Sequence, residues 1–305
     1  MVVLKIYSKY LKVDYKTTFF SKGTFFVFFT RTLCIILPFI FAYNSGGFWL
    51  KRDFFYEQPN VRFKGEYLFY ATTTNKSQPI VCSNNPFYNK FIGDMDVCTD
   101  IKVREVDYNL DGKVDKLDVF LDVNLSYNSK ITSFTFILPL DYDIKTVCPF
   151  KMESAIIFQH FLPIYVTKFS VNANLNVFQN NPLHCQRGRR KLHLYEKQML
   201  ENINKYIPID NIIDEYSNRN ISTYLTNIYT TFKTTKTNKF TLNLKAKYME
   251  HKITYYPKFW HIIKSAWIQY LAIYIVITWF FGKLEKYIFD NKLVLYYETP
   301  LKKKL

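Results

Sequence analysis

The sequence lacks the local motifs by which many catalytic sites are recognised. It contains no G-x-S-x-G, no H-E-x-x-H and no phosphate-binding loop, and its five histidines lack the spacing of metal ligands or of a catalytic triad. Only a site assembled from residues distant in the sequence would escape this test. We therefore expect a non-enzymatic protein with no small-molecule substrate.

Cysteine is scarce, with five residues and no C-x-x-C pair. Zinc sites commonly use such pairs, so zinc is disfavoured, although His184 beside Cys185 keeps it as an alternative. Cys34 lies in an apolar run. The remaining cysteines form an even set, which in an extracellular segment is typical of disulfides: Cys82, Cys98, Cys148 and Cys185. Two disulfides are expected, with all three pairings open.

Acidic residues are few, with 25 Asp and Glu against 41 Lys and Arg and a net charge of +16. Such a balance can indicate nucleic-acid binding. However, the lysines are dispersed among Asn, Tyr, Phe and Ile, and basic residues near anionic lipid account for part of the excess. We expect membrane lipid as a partner and no nucleic acid. The basic cluster at 186–191 is interpreted as a solvated loop, with processing or an anionic partner as alternatives.

The sequence does contain a long apolar run, Phe259–Phe281, with Lys264 as its only formal charge. From His261 onward it covers roughly 30 Å as a helix, the thickness of the hydrocarbon core. Tryptophans lie towards both ends, where membrane interfaces favour them. No polar stripe remains to face water, which disfavours a core helix of a soluble domain. We predict a transmembrane helix over 259–281.

A second apolar run covers Thr24–Tyr43. Arg31 near its middle costs about 3 kcal/mol on the insertion scale, but twelve Phe, Ile, Leu and Val residues return about 0.3 to 0.6 kcal/mol each. Pro38 can kink such a helix, which membrane helices tolerate. A cleaved signal peptide is the alternative, although no A-x-A pattern follows the run. We predict a transmembrane helix over 24–43.

Two spans divide the chain into an N-terminal tail (1–23), a central segment (44–258) and a C-terminal tail (282–305). The tails must share one side, and their lysines outnumber those at the membrane-proximal ends of the central segment, which favours cytosolic termini. Glycosylation sequons begin at Asn75, Asn124 and Asn220, all in the central segment. We therefore expect that segment to be extracellular or lumenal.

The central segment has the alternating apolar pattern of β-strands. In the clearest example, Leu117 to Leu125, apolar residues alternate with Asp118, Asp122 and Asn124. Residues 127–130 resemble a hairpin connection to the next strand, residues 74–100 resemble a loop, and residues 195–214 resemble one or two helices broken at Pro208. Further strands are predicted over 61–73, 131–140, 164–178 and 240–249. The fold class predicted is two transmembrane α-helices flanking a mainly β, sandwich-like α+β domain.

One loop carries oxygen-bearing side chains at alternate positions followed by a glycine, the pattern of a calcium-binding loop. Its candidate ligands are Asp107, Asn109, Asp111, the backbone carbonyl of Lys113, and Asp115. Asp118 stands where an EF-hand has a bidentate Glu, and flanking helices are not predicted. The loop either binds a structural calcium ion or is an acidic turn without one. No other cofactor is expected.

Several strings carry a more specific signal: GFWLKR and YEQPNVRF after the first span, REVDYNLDGKVDKL at 104–117, and YYPKFW, AWIQY and IFDNKLV around the second span. In this order they make nearly the whole chain resemble the transmembrane protein 231 family. Among the central cysteines only Cys185 fits the family pattern, which weakens the expectation of disulfides. The aspartate loop is shared, which strengthens a structural role for it.

The resemblance implies a non-enzymatic component of the ciliary transition zone membrane, at the base of the cilium. Such proteins assemble with tectonic-like and Meckel-syndrome-associated proteins into a diffusion barrier. That barrier limits the entry of membrane proteins and supports cilium assembly. Nothing in composition or periodicity selects this role.

Two other classes share the predicted topology. A ligand-gated channel subunit would line a pore with polar residues, whereas Ser265, Gln269 and Thr278 form only a sparse set. An accessory subunit of a lipid-transporting ATPase would co-purify with a single large pump. Without the resemblance, the sequence does not choose among these classes.

Overall fold

The computed structural model describes residues 13–46, 48–74, 79–85, 88, 98–125, 129–185, 192–195, 199–200, 208–295 and 297–300. The chain forms two units. The membrane unit consists of Met1–Lys51 with Pro257–Leu305, and the central unit is Arg52–Tyr256. The helices described are α1 (Lys22–Asn44), α2 (Ile209–Ser217) and α3 (Phe259–Asp290).

In the membrane unit, α1 packs against α3. Both helices are long and apolar enough to cross a membrane. The strands β1 (Val13–Lys16) and β15 (Tyr297–Pro300) form an antiparallel pair, so the segments before α1 and after α3 lie side by side. The helix α1 slightly exceeds the predicted span. The helix α3 begins at Phe259 as predicted but continues past Phe281, so the predicted C-terminal tail begins as helix.

The central unit is built on two sheets and a short ribbon. One sheet has five strands in the order β12 (Ile221–Lys233), β10 (Lys168–Gln179), β13 (Lys239–Tyr248), β7 (Lys116–Asn124) and β6 (Cys98–Val106). The other has six strands, β11 (Leu192–Leu194), β9 (Phe150–Phe161), β8 (Ile131–Ile144), β4 (Leu68–Thr73) and β5 (Ile80–Ser83), with β3 (Asn60–Phe63) also paired to β8. The ribbon joins β2 (Asp53–Glu57) to β14 (His251–Tyr255).

The main core contains the inward side chains of both sheets. Alternation along β7 directs Leu117, Leu121 and their apolar neighbours into it, and both side chains are completely buried. From the six-stranded sheet, Phe134 packs against Phe240 of β13 with ring centroids 5.7 Å apart. The two sheets are therefore packed face to face as a sandwich, and the predicted fold class is confirmed.

The helix α2 covers the outer face of the six-stranded sheet. Its Ile212 and Tyr216 are buried with Leu68 and Ile137 of that sheet in a second apolar cluster. The Tyr216 hydroxyl lies 3.1 Å from the Ala155 backbone nitrogen, so β9 is contacted on this side as well. This arrangement makes the six-stranded sheet an inner layer with apolar side chains on both faces.

Several predicted elements are corrected. The strand predicted over 61–73 is two strands, because Gly65 has φ +90° in the bend between them. The hairpin predicted at 127–130 is wrong, since β7 and β8 belong to different sheets. The loop predicted over 74–100 contains β5 and the start of β6, and β13 is followed by the further strand β14. Of the helical region predicted over 195–214, residues 196–198 and 201–207 lie outside the described residues.

Candidate functional site

The charge within the first apolar run has a partner in the membrane unit. Arg31 donates from Nη2 to Oε2 of Glu285 on α3 over 3.3 Å, and the Thr30 hydroxyl donates to Oε1 of the same carboxylate over 2.8 Å. Because a charge in hydrocarbon is expensive unless it is paired, this contact offsets part of the cost of inserting Arg31. Glu285 was missed from the sequence because it lies beyond the predicted end of the second span.

The same end of the helix pair is held by contacts close to the chain termini. The Tyr15 ring stacks on Phe289 with ring centroids 5.5 Å apart. Gly23 is in close contact with the chain after α3, and a Cβ there would lie 3.0 Å from Cγ1 of Val294. Together with the β1 and β15 pairing, these contacts place the two helices antiparallel, with their terminal segments at one end.

The aspartate loop is closed by its own hydrogen bonds. Asp107 accepts the backbone N–H groups of Leu110 and Gly112, over 2.7 and 2.9 Å. These two residues have φ values of 58° and 84°, so the carboxylate stabilises a left-handed bend. Asn109 accepts from the Asp111 N–H, and Asp111 accepts from that of Lys113.

Asp115 ties this loop to the rest of the central unit. Its Oδ2 accepts the Tyr108 N–H and its Oδ1 accepts the Gln58 amide, both over 2.8 Å, and these hydrogen bonds hold the pKa of its carboxyl below the usual range. Across the described ranges, no three Asp, Glu, His or Cys side chains are grouped so that they could hold a metal ion. Calcium binding remains a prediction.

The four central cysteines are joined as Cys82–Cys98 and Cys148–Cys185. The first disulfide connects β5 to β6, and thereby one sheet of the sandwich to the other. The sulfurs of all four cysteines are consumed in these bonds, including that of Cys185 beside His184, so none of the four is a thiolate ligand for zinc. Cys34 is a free, buried cysteine of α1.

The asparagines of the sequons lie in different structural settings. Asn124 is the last residue of β7. Asn220 lies in the turn before β12, where its side chain accepts from the Asn181 N–H over 2.8 Å and donates to the Asn181 carbonyl over 3.3 Å. Asn75 and the basic cluster at 186–191 lie outside the described residues. Glycosylation of the sequons and the interpretation of the basic cluster as a solvated loop remain predictions.

A buried polar network, missed from the sequence, connects β14 to both sheets. His251 Nε2 donates to the Leu175 carbonyl over 2.9 Å, which leaves Nδ1 to accept the Tyr142 hydroxyl over 2.8 Å. Burial lowers the pKa of His251 and raises that of Tyr142. The histidine is therefore neutral at physiological pH. Its position in a short alternating run, HKITY, carries no signal of this role.

The central unit also has a cavity of about 290 Å³ beside β9, lined in part by charged side chains. Lys64 forms an ion pair with Glu153 over 3.1 Å, and Lys151 forms one with Asp141 over 3.4 Å. The charged side chains that line this cavity are thus paired with one another. His193 also lines it.

These features define a class of protein: a membrane protein in which two apolar helices flank, in the sequence, a disulfide-linked β-sandwich. The family model described as "Transmembrane protein 231" matches residues 1–298. The chain is 30% identical to Transmembrane protein 231 of Xenopus tropicalis over 309 residues, covering 99% of this chain and 97% of that protein.

Other relatives agree with this match. Transmembrane protein 231 of Gallus gallus is 30% identical, covering 95% of this chain and 91% of its own length. That of Homo sapiens is 28% identical, covering 96% of this chain and 94% of its own length. The chain belongs to the transmembrane protein 231 family.

Proposed function

We propose that this protein is a non-enzymatic structural component of the ciliary transition zone membrane, where it forms part of a diffusion barrier. The observation that carries the proposal is membership of the transmembrane protein 231 family along almost the whole chain. The barrier limits the entry of membrane proteins into the cilium and supports cilium assembly. The protein's partners are membrane lipid, tectonic-like proteins and Meckel-syndrome-associated proteins.

The construction of the molecule supports an anchoring and scaffolding role. The helix pair is fixed by the Arg31 and Glu285 contact and can hold the protein in the bilayer. The sandwich is stabilised by a disulfide between its sheets, which suits a surface on which other proteins assemble. We place the termini in the cytosol and the central unit outside, since disulfides and sequons belong to that side.

A depletion and rescue experiment tests this role. In ciliated cells lacking the protein, a fluorescent plasma-membrane protein normally excluded from the cilium should enter it. The full chain should restore exclusion. Unchanged exclusion in depleted cells that still form cilia would contradict the barrier role.

Topology is tested separately with epitope tags. A tag at either terminus should bind antibody only after the plasma membrane is permeabilised. A tag inserted in the exposed turn between β12 and β13 should bind antibody on intact cells. Any terminal tag accessible on intact cells would contradict the proposed orientation.

A further inference from the structure

The edge strand β12 of the five-stranded sheet is protected along only part of its length. Near its start, the Tyr216 hydroxyl of α2 accepts the Thr223 N–H over 2.8 Å and donates to the Thr223 carbonyl over 3.1 Å. Farther along, β10 is the only strand that pairs with β12 among the residues described. An edge strand presents half of its backbone N–H and C=O groups away from its one neighbour.

The less protected part of β12 exposes large apolar side chains. Ile228, Tyr229 and Phe232 are 46%, 70% and 56% exposed, and every residue from Asn227 to Lys233 is exposed. A long, apolar edge is usually shortened, charged or covered in proteins, because it invites pairing with another chain. The β-branched and aromatic residues of this stretch, from Ile228 to Phe232, also favour an added β-strand, whose main-chain hydrogen bonds supply affinity.

The charge around β12 indicates which kind of added strand would fit this edge. Neither β10 nor β12 contains an aspartate or a glutamate. Lys168 is directly opposite Lys233, and like charges at opposed positions are destabilising. Lys236 and Lys239 follow in the turn and the next strand, and all four lysines are exposed. Within the described ranges, none of the four forms an ion pair with a carboxylate.

A second copy of the chain fits this edge poorly. Two β12 strands placed side by side would bring together two segments that contain lysine and no carboxylate. A strand carrying Glu or Asp at alternate positions would instead place negative charge beside Lys233 and one strand away from Lys168. The side chains between its carboxylates would lie on the opposite face, where they would cover the ring of Phe232.

We propose that the outer edge of β12 from Ile228 to Lys233, called the β12 edge, binds an extended acidic segment of a partner protein by strand addition. The proposal adds a surface to the assembly role but does not depend on where in the cell the protein is located. A binding measurement on the purified full chain therefore tests it separately from the barrier function.

The experiment measures fluorescence anisotropy of labelled peptides with the full chain in detergent micelles. One peptide alternates Glu with Val and Tyr over eight residues, and a second replaces each Glu with Lys. The acidic peptide should bind at least tenfold more tightly than the basic one, and more weakly as salt is raised. A proline at the centre of the acidic peptide should weaken binding, because it removes a main-chain donor.

Variants locate the binding to this edge. Lys233→Glu should weaken binding of the acidic peptide at least tenfold and strengthen that of the basic peptide. The matched control is Lys102→Glu, at an exposed lysine of the opposite edge strand β6, which should leave both affinities unchanged. Because Lys233→Glu also removes the repulsion with Lys168, it should not lower the melting temperature.

Three results would overturn the proposal. Equal affinities for the two peptides would show that the protein does not prefer an acidic segment. An equal effect of Lys102→Glu and Lys233→Glu would show that the binding depends on the net charge of the protein and not on this edge. A dimer of the full chain that Phe232→Ser dissociates would make a second copy the occupant.

Discussion

His251 gives the central unit a pH-dependent stability. In the unfolded chain a histidine titrates near pH 6.5, whereas burial lowers the pKa of His251 in the folded state. As pH falls below about 6.5, the unfolded chain binds a proton that the folded site does not accept. The free energy of unfolding therefore decreases from about pH 6.5 down to the lowered pKa, where the effect levels off.

His251→Gln isolates this effect, because glutamine can still donate to Leu175 and accept from Tyr142 but does not titrate. We expect the melting temperature of the variant, followed by circular dichroism of the full chain, to change less between pH 7.5 and 5 than that of the native protein. The same pH dependence in both proteins would assign it to other groups.

Asp107 tests whether the aspartate loop needs an ion. Since its carboxylate accepts two backbone N–H groups without a metal, Asp107→Ala should cost about 1–3 kcal/mol of stability in chelator as well as in calcium. Asp107→Asn, which keeps one acceptor oxygen, should lose less. The measurement is the melting temperature of each variant with excess calcium and with chelator. A loss confined to calcium would show that the loop binds calcium.

At the scale of elements, the two disulfides should contribute unequally to the free energy of unfolding. By the loop-closure argument, Cys148–Cys185, with a sequence separation of 37, contributes about 4 kcal/mol, and Cys82–Cys98, with a separation of 16, about 3 kcal/mol. Double Cys→Ser variants of each pair should therefore differ in melting temperature, the longer loop losing more. The reverse order would mean that the sheet-to-sheet connection outweighs loop length.

The contact between α1 and α3 is tested by removing one partner and then both. Glu285→Leu leaves the Arg31 charge without its carboxylate, and an arginine at the centre of a membrane helix costs about 2.5–3.5 kcal/mol on the insertion scale. We expect less monodisperse full-length protein to be extracted from membranes. Arg31→Leu combined with Glu285→Leu should restore the yield, and Asp290→Leu at the end of α3 should change it little. A double variant as poor as Glu285→Leu would contradict the pairing.

The elements show which features a sequence can reveal. The alternation of β7 predicts a strand because one of its faces is buried and the other meets water. Both faces of β9 contact apolar groups, so it has no such alternation and was not predicted. The hairpin prediction failed because β7 and β8, although joined by a short connection, do not pair with each other and belong to different sheets.

The candidate sites likewise divide into those set by a local stretch of sequence and those set by the tertiary fold. The aspartate loop is local and was predicted from a single stretch of sequence. The partner of Arg31 lies 254 residues away, and the bonds of His251 reach Tyr142 and Leu175, 109 and 76 residues away. Neither β10 nor β12 contains Asp or Glu, but this absence indicates a basic edge only once the two strands are known to be neighbours. Such pairings depend on the tertiary fold, which periodicity does not encode.

The whole molecule combines a helix pair long and apolar enough to cross a membrane with a β-sandwich whose two sheets are joined by a disulfide, which suits the proposed scaffolding role. Neither unit requires a catalytic group for this role. Family membership directs the proposal to the base of the cilium. A location in the cell can be measured without knowing any partner.

Fluorescence localisation in ciliated cells is therefore the most direct test of a position at the transition zone. The full chain would carry a tag at its C-terminus, and the cells would be co-stained for the axoneme and the basal body. We expect a narrow ring of fluorescence between these two structures. A diffuse signal over the plasma membrane or the endomembranes would contradict it.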